Sequence, residues 1–156
     1  MIEISADYDA SSTSGLHTLY GSMRRGGFEG IHPDDLGNVF LVEDVGGVLF
    51  GFAKNPNSFV YRFVPTNPVD LTEGKLQALQ VSIDGEPVVF HPEGDTLSEK
   101  QLKLHTLGTS YPVTWVTVHD TASDGTDSFD ANALAKAAGA TPFKRPENGQ
   151  FLPGAG

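Results

Sequence analysis

The sequence predicts an all-β domain built on an antiparallel four-stranded meander with flanking strands and at most one short helix. Three observations point there. Eighteen glycines and ten prolines cut the 156 residues into short pieces, which suits many short strands better than long helices. In "SFVYRFVP", Phe59, Tyr61 and Phe63 alternate with Val60, Arg62 and Val64, the two-residue period of a strand. Between Phe28 and Ile83, strand-like runs recur at regular intervals with turn residues between them.

Taken in order, "LHTLYGSM" reads as a single strand ahead of the meander. "FEGIHP", residues 28–33, is the first strand of the meander, and "DDLG" reverses the chain, since Asp opens and Gly closes a tight turn. "NVFLVED" gives a second strand over 38–43, and a glycine-rich piece with "KNPNS" leads to the third, over 58–64. "TNPVDLTEG" reads as a loop, and "KLQALQVSI" returns as a fourth strand over 75–83. "EPVVF" at 86–90 is a short strand and "PVTWVTVHD" at 112–120 a buried one. The Ala-rich "SFDANALAKAAGA" is the one helix candidate, over about 130–138, with Ser128 as its cap and Gly139 as its end. No second copy of the four-strand pattern is found within these residues, so no internal repeat is claimed.

Composition narrows the partners. Twenty acidic against ten basic side chains give a net charge of −10, which opposes nucleic acid and anionic membranes and favours cations. A hydrophobic fraction of 38% is enough for one domain with a core. Cysteine is absent, which removes disulfides, thiolate metal sites and a cysteine nucleophile. The N-terminus has no basic region followed by an apolar run, and no segment reaches the length of a membrane span. His17, His32, His91, His105 and His119 show no HxxxH spacing, and neither a phosphate loop nor a GxSxG elbow is present. Trp115 and Phe90 read as core.

"FEGIHPDDLGNVFLVED", "NSFVYRFVP", "LTEGKLQAL", a Trp-containing strand and "TPFKRPE" follow one another across about residues 15–150. In that order and spacing the chain resembles the PhoX-like secreted alkaline phosphatases, whose fold is a β-propeller. The resemblance implies one partial propeller-like domain over 1–156, a blade fragment. Residues 15–83 hold the end of one blade and a near-complete second, 84–142 an insertion with flanking strands, and 143–156 the start of the next blade. Propellers close with typically four to eight blades. The apolar faces of a single blade therefore need cover, from another copy or from the remaining blades of a longer protein.

The resemblance also implies chemistry: metal-dependent hydrolysis of a phosphate ester, in a secreted or periplasmic protein. In the family, the glutamate of the "RPE" motif and one four residues after an arginine face the central channel and bind metal. These are Glu147 and Glu29 here, the latter following Arg25. Phe28 stands where the commonest form has histidine. Glu43 and Asp44 match an acidic pair, of which one at most faces the channel because neighbours on a strand point oppositely; Asp44 is the expected third ligand. Carboxylates suit calcium, whereas the family's iron needs a cysteine that this chain lacks. Arg25 and Arg145 are expected to hold phosphate, and Pro146 to keep Arg145 extended. The alternative is a noncatalytic blade module that binds calcium and acts through association.

Overall fold

The computed structural model of the protein describes residues 1–24, 26–93 and 98–151. Among the described residues, ten strands and three short helical segments follow in chain order: β1 (Ile2–Asp9), β2 (Ser14–Thr18), β3 (Phe28–Pro33), β4 (Val39–Glu43), β5 (Val48–Phe50), β6 (Ala53–Asn55), β7 (Val60–Asn67), β8 (Asp70–Ile83), β9 (Glu86–Pro87), α1 (Glu99–Leu104), β10 (Val113–Asp120), α2 (Thr121–Asp124) and α3 (Ala131–Ala137). The main sheet runs β10-β8-β7-β4-β3 with every pairing antiparallel. Its four consecutive strands β3, β4, β7 and β8 form the expected meander, and β10 extends it beyond β8. The protein is thus mainly β and antiparallel.

The alternation read in the sequence sets the two faces of this sheet. Phe59, Tyr61 and Phe63 are fully buried on one face with Leu41, Leu76 and Ala78. That face is covered by Leu19 and Met23 and by α3, whose Ala131 and Ala135 are small enough to seat the helix close to the strands. On the other face, Phe40, Arg62, Gln77 and Thr117 come from paired positions on four neighbouring strands. Arg62 lies 4.7 Å above the Trp115 ring, and Phe40 meets Trp115 and Phe151 edge-on at 5.8 and 5.1 Å.

Several expectations need correction. The expected single strand at "LHTLYGSM" is only Ser14–Thr18, paired with the unexpected strand Ile2–Asp9. The glycine-rich connection contains a hairpin, β5 with β6. "TNPVDLTEG" is mostly strand, because β7 and β8 pair up to Asn67 opposite Asp70 and leave only Pro68 and Val69 between them. Of "EPVVF", Glu86 and Pro87 alone are strand. The chain has more than one helix: α1 is capped by Ser98 and α2 by Asp120. The expected helix is α3, and its cap is Asp130 rather than Ser128, accepting from the Ala133 amide at 3.0 Å. Gly139 follows it at φ 72°, the left-handed turn that lets a helix end.

Candidate functional site

"FKRPENGQF" is tied into the fold from its first residue. Phe143 pairs with Ser58 through Phe143 N–H to Ser58 O at 2.8 Å and Ser58 N–H to Phe143 O at 3.3 Å. Ser58 Oγ in turn bonds the backbone of Val45, accepting at 3.0 Å and donating at 2.8 Å. This bridge carries the segment past the end of β4 and on to β3, where a Cβ on Gly30 would lie 3.3 Å from Asn148 Cα and 3.5 Å from Glu147 O. The absence of a side chain at Gly30 lets the two backbones meet. Phe151 then packs on Phe40.

The charged side chains gather around one guanidinium. Arg145 donates from Nε to Asp44 Oδ1 at 2.6 Å and from Nη2 to Asp44 Oδ2 at 2.7 Å, the two-point fork that arginine makes with a carboxylate. Nη2 also lies 3.4 Å from Glu147 Oε1. These bonds, Asp44 first, and the nearby charges of Asp44, Glu147 and Glu29 hold the Arg145 pKa above the ordinary guanidinium value. The bond from Arg145 likewise holds the Asp44 carboxyl below its usual value. Nη1 makes no hydrogen bond among the described residues.

Two backbone features serve this arrangement. Glu29 is the extra residue of a β-bulge, since Phe28 faces Glu43 while Gly30 faces Val42, and a bulge re-aims the side chain it carries. Arg145 is not extended as expected: its φ is 50°, a left-handed conformation that costs a non-glycine residue on the order of 1–3 kcal/mol. The fork to Asp44 holds it there.

The structure therefore brings Asp44, Arg145 and Glu147 together; Glu29 contributes only its charge to the field at Arg145, and Arg25 lies outside the described residues. The acidic pair divides as strand geometry requires. Asp44 turns to Arg145, and Glu43 is fully buried in the core, on the opposite side.

Glu43 forms a site that the sequence did not reveal. Its Oε2 accepts from Asn132 Nδ2 at 2.9 Å, from the Phe59 amide at 3.1 Å and from Tyr61 Oη at 3.4 Å, while Oε1 lies 3.5 Å from Arg24 Nη1. Burial pushes its pKa up, against these bonds and the Arg24 charge. A glutamate closing the apolar run "VFLVE" was the available signal, since a buried carboxylate needs donors around it. Of the histidines, His119 is buried, stacks on Phe129 at 3.8 Å and bonds the carbonyls of Gly21 and Gly125.

Next to Arg145 lies a cleft of about 180 Å³, lined by Val45, Lys54, Pro56, Asn57, Phe143 and Lys144 among others. Among the described residues no group of three or more His, Cys, Asp or Glu is placed to hold a metal ion, and no helix is long and apolar enough to cross a membrane. No family model, curated protein or solved structure matches the chain.

Proposed function

We propose that this chain is part of a phosphoric ester hydrolase resembling the PhoX-like alkaline phosphatases, with Arg145 as its phosphate-holding group. One observation carries the reading. Asp44, Arg145 and Glu147, which the PhoX resemblance singles out, are joined through a single guanidinium although Asp44 and Arg145 are 101 positions apart in the chain. Asp44 fixes the orientation of that guanidinium, and Nη1 keeps its donors for a phosphoryl oxygen. Oriented donors of this kind stabilise the charge that develops on a transferring phosphoryl group. The left-handed Arg145 backbone is strain of the sort that accumulates at functional sites.

Calcium does not fit the residues as they stand. Arg145 takes both oxygens of Asp44 and approaches one of Glu147, which leaves too few carboxylate oxygens for the six to eight that calcium typically takes. No step is assigned to the ion within this chain, and a calcium site would need further carboxylates. The same ion pairs favour the second reading, a noncatalytic blade module in which Arg145 only locks the C-terminal segment to β4. Hydrolysis of 4-nitrophenyl phosphate, followed with calcium added and with a chelator, separates the two. Turnover that persists with the chelator is expected of the hydrolase with Arg145 as its phosphate-holding group, and turnover abolished by the chelator would mean that further carboxylates complete a calcium site; no turnover under either condition leaves the module reading in place.

A further inference from the structure

The hairpin β5–β6 stands apart from the main sheet. Among the described residues its two strands pair only with each other. Val48, Leu49 and Phe50 are all exposed, although neighbours on a strand point to opposite faces, so both faces of this arm meet solvent. Phe50 pairs with Ala53, which leaves Gly51 and Phe52 as the turn, with Gly51 at φ 58°, the positive φ that two-residue hairpin turns need. Phe52 at the tip is fully exposed. Contiguous exposed apolar surface of this kind marks a place of contact with another molecule.

The same arm has an apolar hole at its base. The cleft of about 180 Å³ is lined by Gly47 and Asn55, where the chain enters and leaves the arm, and by Val45, Pro56 and Phe143, and the surface it presents is almost wholly apolar. A cavity of about 150 Å³ holds one benzene ring, so the cleft has room for one phenylalanine side chain. It is smaller than the roughly 300–1,000 Å³ of small-molecule sites. Phe52 does not reach the cleft of its own chain, because the β5–β6 ladder holds it at the far end of the arm, about 10 Å from Asn55 at the usual strand rise.

Charge narrows the occupant further. Two chains of net charge −10 repel each other. Residues 45–57 and 142–146, however, contain no Asp or Glu, and the carboxylates that flank them, Asp44 and Glu147, are paired with Arg145. Arm and cleft thus form a surface on which two copies meet without opposed free carboxylates.

We propose that two copies of this chain exchange arms across a two-fold axis, each Phe52 entering the cleft at the base of the other copy's arm. Tip and hole lie at opposite ends of one arm, so two arms side by side and antiparallel make both contacts at once. The assembly then closes as a dimer. The proposal concerns assembly and holds whether or not the chain hydrolyses esters.

Sedimentation equilibrium of the full chain, joined to oxidative cross-linking, tests it. A reversible monomer–dimer equilibrium is expected, weakened at least tenfold by Phe52→Ser and unchanged by Leu36→Ser, which removes a 77% exposed leucine outside the arm. The chain has no cysteine, and Lys144 lines the cleft. Oxidising Phe52→Cys chains mixed with Lys144→Cys chains is therefore expected to give a covalent heterodimer faster than Leu36→Cys chains do with the same partner. Phe52, Leu36 and Lys144 are exposed, so these substitutions spare the core, and overlaid circular dichroism spectra check this. A monomer at every concentration, open-ended polymers, a Phe52→Ser variant that dimerises like the parent, or cross-linking no faster than with Leu36→Cys would each overturn the proposal. So would a chain that stays monomeric and sediments with vesicles of uncharged phosphatidylcholine, which would assign the arm to a lipid surface.

Discussion

Glu43 and Asp44 are adjacent and chemically alike, and their surroundings set them apart. Glu43 has lost all contact with water and is held by Asn132, Arg24, Phe59 and Tyr61. Removing one member of such a buried set leaves the others unpaired and costs roughly 3–5 kcal/mol. Glu43→Ala is therefore expected to destabilise by about 3 kcal/mol or more, and Asp44→Ala by clearly less, measured by urea unfolding. The two also titrate in opposite senses. Asp44, bonded by Arg145, has its pKa below the ordinary 3.8, so its contribution is present above that pH and is lost on acidification through the lowered value. Glu43, desolvated, has its pKa above the ordinary 4.5, so its contribution is full below that pH and is lost as pH rises through the raised value. Glu43→Gln cannot titrate, and its stability relative to the parent is expected to improve steadily as pH is raised from about 4.5. A constant difference across that range would contradict the assignment. Of these roles, the sequence showed only that the two carboxylates point apart. The donors to Glu43 come from Arg24 and Asn132, and contacts so distant in the chain leave no periodic trace.

At the scale of elements, the meander was legible because one face is buried and the other is not. In β7 that contrast places Tyr61 and Phe63 on the core side and Arg62 over Trp115, and the two-residue alternation records it. Elements without a two-sided environment were missed. The hairpin β5–β6 exposes Val48, Leu49 and Phe50 together, so its sequence does not alternate. α1 has six residues and buries only Gln101, too short for a helical period to show. The loop expected at "TNPVDLTEG" was a reading of Pro68 and the polar residues around it; pairing with β7 overrode them. The half-covered second face of the sheet provides its own test. Arg62 is held there by Gln77 Oε1 at 2.6 Å and by the Trp115 ring. Arg62→Ala is expected to cost about 1–2 kcal/mol and to shift the emission of the single tryptophan to the red. Unchanged emission would mean that Arg62 does not cover the ring.

At the scale of the molecule, apolar surface remains that the antiparallel sheet does not bury. Leu49 is 68% exposed and Phe52 fully exposed on the β5–β6 hairpin. Among the described residues the outer edges of β3 and β10 have no strand beside them, and open edges invite pairing. If a second copy covers this surface, as we propose, Leu49→Ser with Phe52→Ser is expected to lower the sedimentation coefficient of the assembled protein. A compact monomer at all concentrations, before and after the substitutions, would contradict this. The function proposed for the molecule rests on Arg145 as a fixed phosphate-holding group, and kcat/KM for 4-nitrophenyl phosphate in the parent protein, Arg145→Gln and Glu147→Gln tests it most directly. The expected result is turnover by the parent, a loss in Arg145→Gln of about a hundredfold or more, in the range of a removed oriented donor, a smaller loss in Glu147→Gln, and circular dichroism spectra that overlay. Absent turnover in the parent, or equal turnover in all three proteins, would contradict it.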